Sequence, residues 1–356
     1  MSINRYCVIM AGGVGSRFWP QSRQSMPKQF LDILGTGKSF IRQTFERFLP
    51  IVPLENFVIV TNERYKDLVM QHIPELNSSQ VLCEPIARNT APCIAYAAYS
   101  IASKNPAAQM IITPADHYIT GEELFQHTIE ECLGFISKQS ALMTIGITPT
   151  RAETGYGYIQ LSENESISKV KCFTEKPNAQ LAQTFMDCGE FVWNSGIFIW
   201  SVASIIEAFK SHLPECHTMF SSISDSYGTD SEAAAINRVF SESKSISIDY
   251  AIMEKADNVY VKIGEFSWCD VGTWSALFAH AQMDENGNVG AADNLLYNTS
   301  DTVISAPKDK LVVVNGLKEY IVVDTDDVLM ICPRSEEQNI KGVIEDIKYS
   351  KGDEYL

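Results

Sequence analysis

No apolar run in the 356-residue sequence approaches the roughly 20 residues that cross a bilayer. The start, Met1-Ser2-Ile3-Asn4-Arg5-Tyr6, passes into an apolar segment without the longer stretch and small-residue cleavage site of an export signal. A cytoplasmic protein with no membrane partner is expected. Basic residues are the minority: 28 Lys and Arg against 44 Asp and Glu leave a formal net charge of -16. Nucleic-acid polymers are held by massed cations, so such a partner is excluded, whereas a single nucleotide neutralised by a divalent cation is not. The 9 cysteines stand singly and none forms C-x-x-C. That pattern offers neither a zinc site nor a disulfide frame and reads as reduced core thiols. His212 and His217 are spaced wrongly for one helix face, unlike H-E-x-x-H, and are expected to be structural.

What the chain does have is a glycine loop. Tyr6-Cys7-Val8-Ile9-Met10 is an apolar run of the buried-strand type, and it ends in Ala11-Gly12-Gly13-Val14-Gly15-Ser16-Arg17-Phe18-Trp19-Pro20. Glycines without Cβ atoms let several main-chain N–H groups converge on an anion. Arg17 and Lys28 add fixed positive charge nearby. A dinucleotide loop needs a third glycine where Phe18 stands, so that reading fails. Gly35-Thr36-Gly37-Lys38-Ser39 has the tail of a Walker loop, but Asp32 occupies the place of its first glycine and no clean strand precedes it. It reads as a surface turn before a helix.

Strands at 57–61, 80–83, 110–113 and 141–146 alternate with amphipathic helices at 39–49, 65–72, 89–103 and 121–137. This alternation predicts an α/β fold, a mainly parallel sheet covered on both faces, with ligands at the carboxyl ends of its strands. From Tyr156 to Trp200 the pattern is strand-rich, then helical to Phe240; a strand at 259–263 and a short helix to His280 follow. Ser247–Lys255 reads as a capped helix. Periodicity lapses at Asp284–Asn288, which reads as a linker, and short β runs at 302–304, 311–314, 320–323 and 328–331 form a small terminal β unit. No internal repeat is apparent.

Polar clusters fall at the expected strand ends. Asp116, after Met110-Ile111-Ile112-Thr113, suits Mg²⁺, which takes a few carboxylates together with phosphate oxygens; capping a turn is the alternative. Asp270 in Trp268-Cys269-Asp270-Val271-Gly272 is placed similarly. In Cys83-Glu84-Pro85-Ile86-Ala87-Arg88-Asn89-Thr90, Glu84 suits the amide-like edge of guanine and Arg88 a phosphate, while Asn89 or Thr90 serves equally as a helix cap. Gly155 and Gly157 mark a bulged edge or a ligand lying on the backbone. Glu175-Lys176 is either a strand-end pair or a surface ion pair. Asn194 in an apolar run needs partners, which sugar hydroxyls supply.

In this order A-G-G-V-G-S-R with P-K, E-P-x-x-R-N-T-A-P, P-A-D-H, G-Y-G-Y-I, F-T-E-K-P, W-N-S-G-I-F, S-I-D-Y-A-I-M-E-K and W-x-D-V-G-x-W resemble the mannose-1-phosphate guanylyltransferase family of sugar-1-phosphate nucleotidyltransferases. The resemblance runs from about residue 5 to 280, and the β tail is similar to that family's too. It implies a Rossmann-like αβα sandwich in residues 1–283 and a small, left-handed β-helix-like unit in residues 284–356. It implies GTP, mannose 1-phosphate and Mg²⁺ going in, GDP-mannose and diphosphate coming out, and a homo-oligomer, namely a dimer. By the same resemblance Ala11, Gly12, Gly13, Gly15 and Ser16 hold the triphosphate, Arg17 the leaving diphosphate, and Lys28 the α-phosphorus. Asp116 and Asp270 hold the metal, and Glu84, Arg88, Asn89 and Thr90 line the nucleotide. Tyr156, Gly157, Glu175, Lys176, Asn194 and Asp249 bind the sugar phosphate. Another nucleotide and sugar pair, such as UTP or dTTP with glucose 1-phosphate, or a non-catalytic nucleotide-sugar sensor, are the alternatives. Longer bacterial relatives carry a cupin-type phosphomannose isomerase domain, whose activity is not expected here.

Overall fold

The computed structural model describes residues 3–163, 165–278, 281–290 and 294–356. Two compact units emerge: one comprises Met1–Gly12, Thr44–Ala115 and Ile119–Trp268, the other Gly13–Gln43, Asp116–Tyr118 and Cys269–Leu356.

The first unit is built on a nine-stranded sheet in the order Val81–Glu84, Phe57–Asn62, Arg5–Ala11, Gln109–Pro114, Phe191–Ser201, Leu142–Ile147, Val259–Ile263, Ile167–Thr174, Tyr158–Leu161. Only Phe191–Ser201 and Ile167–Thr174 run against the rest, so the sheet is mixed but mainly of one direction. Helices cover it because its central strands are apolar at consecutive positions. Val8 packs into a core with Ile94, Ile112, Phe198 and Phe209. Elsewhere in this unit Phe45 meets Phe57 at 4.7 Å and Phe48 meets Phe125 at 5.3 Å between ring centroids. Helix Thr90–Lys104 is buried from Ala91 to Ile101, which its run of alanines permits by keeping neighbours close. Chain order reverses between Arg5–Ala11 and Gln109–Pro114, the kind of switch point at which open α/β sheets bind ligands. Directly after these two strands come the glycine loop and Asp116.

The second unit stacks parallel strands. Val289–Gly290, Val303–Ser305 and Tyr320–Asp324 are neighbours, with Leu329–Pro333 antiparallel at the edge, while Asn294–Tyr297 pairs with Val312–Asn315. Asn294 pairs with Val312, Ser300 with Lys318, and Val303 with Ile321, one constant offset, as in a β-helix. Side chains alternate accordingly: Ile321 and Val323 join a core with Phe18, Trp274 and Ile340, and Val322 joins Ile304 and Val314.

Several expectations change. The Asp284–Asn288 segment is a knitted turn rather than a loose linker, since Asp284 Oδ1 accepts from the N–H groups of Asn286 and Asn288 at 2.8 Å each. Ser247–Lys255 holds a single π-helical turn, Asp249–Met253, in place of a capped α-helix. Strands Val289–Gly290 and Asn294–Tyr297 and the helix Ile340–Lys351 add to the expected elements. The short helix expected to reach His280 is Trp274–Phe278; Ala279 and His280 lie outside the described residues.

Candidate functional site

In the second unit the glycine loop, two strand-end aspartates and the terminal helix line an open cavity of about 300 Å³, formed by Gly15, Ser16, Arg17, Lys28, Asp116, His117, Asp270, Val271, Gly272 and Lys341 among others. Gly15 has φ 73, and a Cβ there would come 2.5 Å from Lys28 Cβ, so glycine is required twice over. The chain then turns through the short 3₁₀ segment Ser16–Phe18. Lys28 is 3% exposed, and its ammonium gives all three protons to the chain: to the Asp116 carbonyl at 3.0 Å, the Asp270 carbonyl at 2.7 Å and Asp116 Oδ2 at 2.9 Å. The two aspartates are therefore brought together on one cation. Burial works against ionising Asp116, but Lys28 and His117 prevail and hold its carboxyl below the ordinary range. The Asp270 carboxylate folds back to accept from Gly272 N–H at 3.0 Å, and a Cβ on Gly272 would lie 2.8 Å from it. Between them Val271 has φ 47, a left-handed conformation that a β-branched residue adopts at a cost of about 1–3 kcal/mol.

Within the first unit, Glu84 ends its strand 6% exposed, with Oε1 buried and unpartnered among the described residues. Gly12 lies beside it, its Cβ position 3.7 Å from Oε2. Burial pushes the Glu84 carboxyl up to about 7, against a hydrogen bond from Cys93 that pulls it down. Asn89 has φ 66 and caps the next helix through Thr90 N–H at 2.8 Å. Arg88, expected at a phosphate, donates from Nε to the Phe240 carbonyl at 2.9 Å and from Nη2 to the Ser241 carbonyl at 3.2 Å. Thr90 Oγ1 accepts from Ile248 N–H at 2.9 Å, so this loop is laced to the segment that carries Asp249.

Asp249 belongs to a second polar cluster in the same unit. Asn194 donates to Asp249 Oδ1 at 3.0 Å and accepts from Thr144 Oγ1 at 2.9 Å and Gly196 N–H at 3.2 Å, which fixes its amide orientation. Burial and the neighbouring Glu175 push Asp249 up to about 6. Glu175 pairs with Lys176, whose φ is 45. The Gly157 carbonyl accepts from Asn194 N–H at 2.8 Å, and the Tyr156 ring meets Trp193 at 5.2 Å and Trp268 at 5.1 Å. Tyr156, Gly157, Glu175, Lys176, Asn194 and Asp249 are thus assembled from four separate stretches of chain. Thr144 and Lys341 were not foreseen. Thr144 sits in an apolar strand and signals nothing by itself; Lys341 lies on a helix that the sequence pattern did not reveal.

Glu84 makes a stability prediction with a definite sign. Its folded pKa of about 7 exceeds the ordinary 4.5, so the folded state binds the extra proton and loses stability as pH rises from 4.5 to 7. At about 1.4 kcal/mol per unit the penalty above pH 7 is about 3 kcal/mol. Urea unfolding of Glu84→Gln is expected to show a gain of about 2–3 kcal/mol at pH 8 that shrinks towards zero near pH 4.5. An equal difference at both pH values would mean that the carboxyl does not titrate this way.

The nucleotidyl transferase family matches residues 6–287, and the family described as MannoseP isomerase/GMP-like beta-helix domain matches residues 293–347. A mannose-1-phosphate guanylyltransferase of Salmonella montevideo is 35% identical over 360 residues, spanning 98% of this chain and 75% of its own. Mannose-1-phosphate guanylyltransferase 2 of Escherichia coli O157:H7 is 32% identical, spanning 98% of this chain and 74% of its own. Among solved structures, one described as mannose-1-phosphate geranyltransferase from Thermus thermophilus matches with a TM-score of 0.88 at 30% identity, covering 97% of this chain and 99% of that one.

Proposed function

Because the chain belongs to the mannose-1-phosphate guanylyltransferase family and is a sugar-1-phosphate nucleotidyltransferase, we propose that it transfers GMP from GTP to α-D-mannose 1-phosphate, giving GDP-mannose and diphosphate. The observation that carries the guanine half is Glu84, a buried acceptor beside the Gly12 main chain with one oxygen unpartnered among the described residues. Ionised, it accepts from guanine N–H groups, which adenine does not present in the same pattern. The mannose half rests on the oriented Thr144–Asn194–Asp249 chain next to Glu175.

A phosphate oxygen of the sugar phosphate forms the new bond to the α-phosphorus, and the bond to the bridging oxygen of the leaving diphosphate breaks. The nucleophile is already an anion, so no side chain has to remove a proton. The protein's work is to position two polyanions and offset their repulsion. Main-chain N–H groups from Ala11 to Ser16 hold the triphosphate, with Arg17 on the leaving diphosphate and Lys28 at the α-phosphorus; Lys176 grips the sugar phosphate. Arg88, Asn89 and Thr90 shape the nucleotide loop. Asp116 and Asp270 fit a divalent cation such as Mg²⁺, since they are two strand-end carboxylates on one cavity, one of them held ionised. When bound, that ion neutralises phosphate charge. This reading also has the enzyme cytoplasmic and dimeric, with a catalytic domain in residues 1–283 and a β domain in 284–356; among the described residues no helix is long and apolar enough to cross a membrane.

The test is a matrix of GTP, ATP, UTP and dTTP against mannose 1-phosphate and glucose 1-phosphate, followed by diphosphate release. GTP with mannose 1-phosphate is expected to lead in kcat/KM by about 10²-fold or more. A lead for UTP or dTTP with glucose 1-phosphate replaces the substrate assignment, and no diphosphate from any pair leaves a binding protein.

A further inference from the structure

We infer that Lys341, on the C-terminal helix Ile340–Lys351, is a ligand for the diphosphate end of the nucleotide. The inference rests on reading the glycine-loop cavity as a phosphate site. Lys341 lines that cavity with Gly15, Ser16 and Arg17. Its ammonium has no hydrogen-bond or ion-pair partner among the described residues, whereas Lys28, the more obvious cation, has given its three protons to Asp116 and Asp270. Lys28 keeps its charge but has no N–H left to donate, so the cations with donors left for an incoming diphosphate in this cavity are Arg17 and Lys341. Diphosphate leaves with three or four negative charges, which is more than one guanidinium offsets.

The helix that bears Lys341 is held in place. Ile340 is 1% exposed in the core that contains Phe18 and Trp274. Gln338 Oε1 accepts from Arg17 Nε at 3.0 Å, and Glu337 Oε2 accepts from Ser275 N–H at 2.9 Å. Beyond the helix, the Tyr355 carbonyl accepts from Trp19 Nε1 at 2.8 Å. The segment that presents Lys341 is thus pinned on both sides to the loop bearing Arg17, and both cations line the one cavity. The C-terminal helix then supplies part of the site instead of serving only as a packing element.

Inorganic diphosphate is the probe, titrated calorimetrically and as a product inhibitor of the full-length enzyme. Lys341→Ala is expected to weaken diphosphate binding about tenfold and to raise KM for GTP with KM for mannose 1-phosphate unchanged, while Lys341→Arg recovers to within about threefold. Lys348→Ala, on the same helix and paired with Asp353, is expected to change neither. Diphosphate binding equal in wild type and Lys341→Ala overturns the role of Lys341 alone. Failure of wild type to bind diphosphate overturns the reading of the cavity itself. A loss that Lys341→Arg does not recover, or that Lys348→Ala shares, shows helix damage and removes the inference.

Discussion

Lys28→Met is expected to lower kcat by about 10²–10³-fold with KM for GTP moving less than about threefold. Methionine keeps the stem beside the rings of Phe18 and Phe40, whose centroids lie 5.6 and 5.2 Å from the ammonium, and removes only the charge. Two losses combine. On the proposed mechanism the developing charge at the α-phosphorus loses a preorganised cation, and the carbonyls of Asp116 and Asp270 lose the group that gathers them. The second loss has its own signature. Lys28 and His117 hold the Asp116 carboxyl below its ordinary range against the effect of burial; without Lys28 its pKa rises, so activity in the variant should fall away at higher pH on the acid limb than in wild type. A pH–rate profile measures this directly. An acid limb that stays put with a reduced kcat assigns Lys28 to the transition state alone, and an unchanged kcat removes it from the chemistry.

The first half of the fold was legible because buried strands are apolar at consecutive positions and the covering helices have amphipathic spacing. Helix Thr90–Lys104 falls within a residue of the expected span. The β-helix coils were not read as a repeat, since what recurs is inward packing by aliphatic residues such as Val303 and Ile321, which needs no repeated motif. The last helix was missed although Ile340, Ile344 and Ile347 lie on one side against the core: Gly342 weakens the helical signal and Val343 and Tyr349 point to solvent. At the site, motifs named Lys28, Asp116 and Asp270 as neighbours in function. That one ammonium joins them, and that Arg88 donates to the Phe240 and Ser241 carbonyls, depends on contacts between distant stretches which local spacing does not encode.

Gly157→Ala is expected to cut kcat/KM for mannose 1-phosphate by about 10²-fold while KM for GTP stays within about threefold. The cause is steric, with no backbone strain involved. An added Cβ would lie 2.5 Å from Glu175 Oε2 and 3.4 Å from Asn194 Cβ. Glu175 has little room to retreat: its side chain is 8% exposed, Lys176 holds its other oxygen, and Asp249 repels it. Moving that carboxylate disturbs the Asn194–Asp249 bond of 3.0 Å and with it the groups proposed to meet sugar hydroxyls. Overpacking of this kind also costs about 1–3 kcal/mol, so melting is measured alongside. Glu175→Ala removes the atom that the new methyl strikes, and if the clash is the route of damage the double variant Gly157→Ala/Glu175→Ala should be no worse than Glu175→Ala alone. Losses that multiply across the two positions would mean that Gly157 serves the sugar through its own main chain, independently of Glu175.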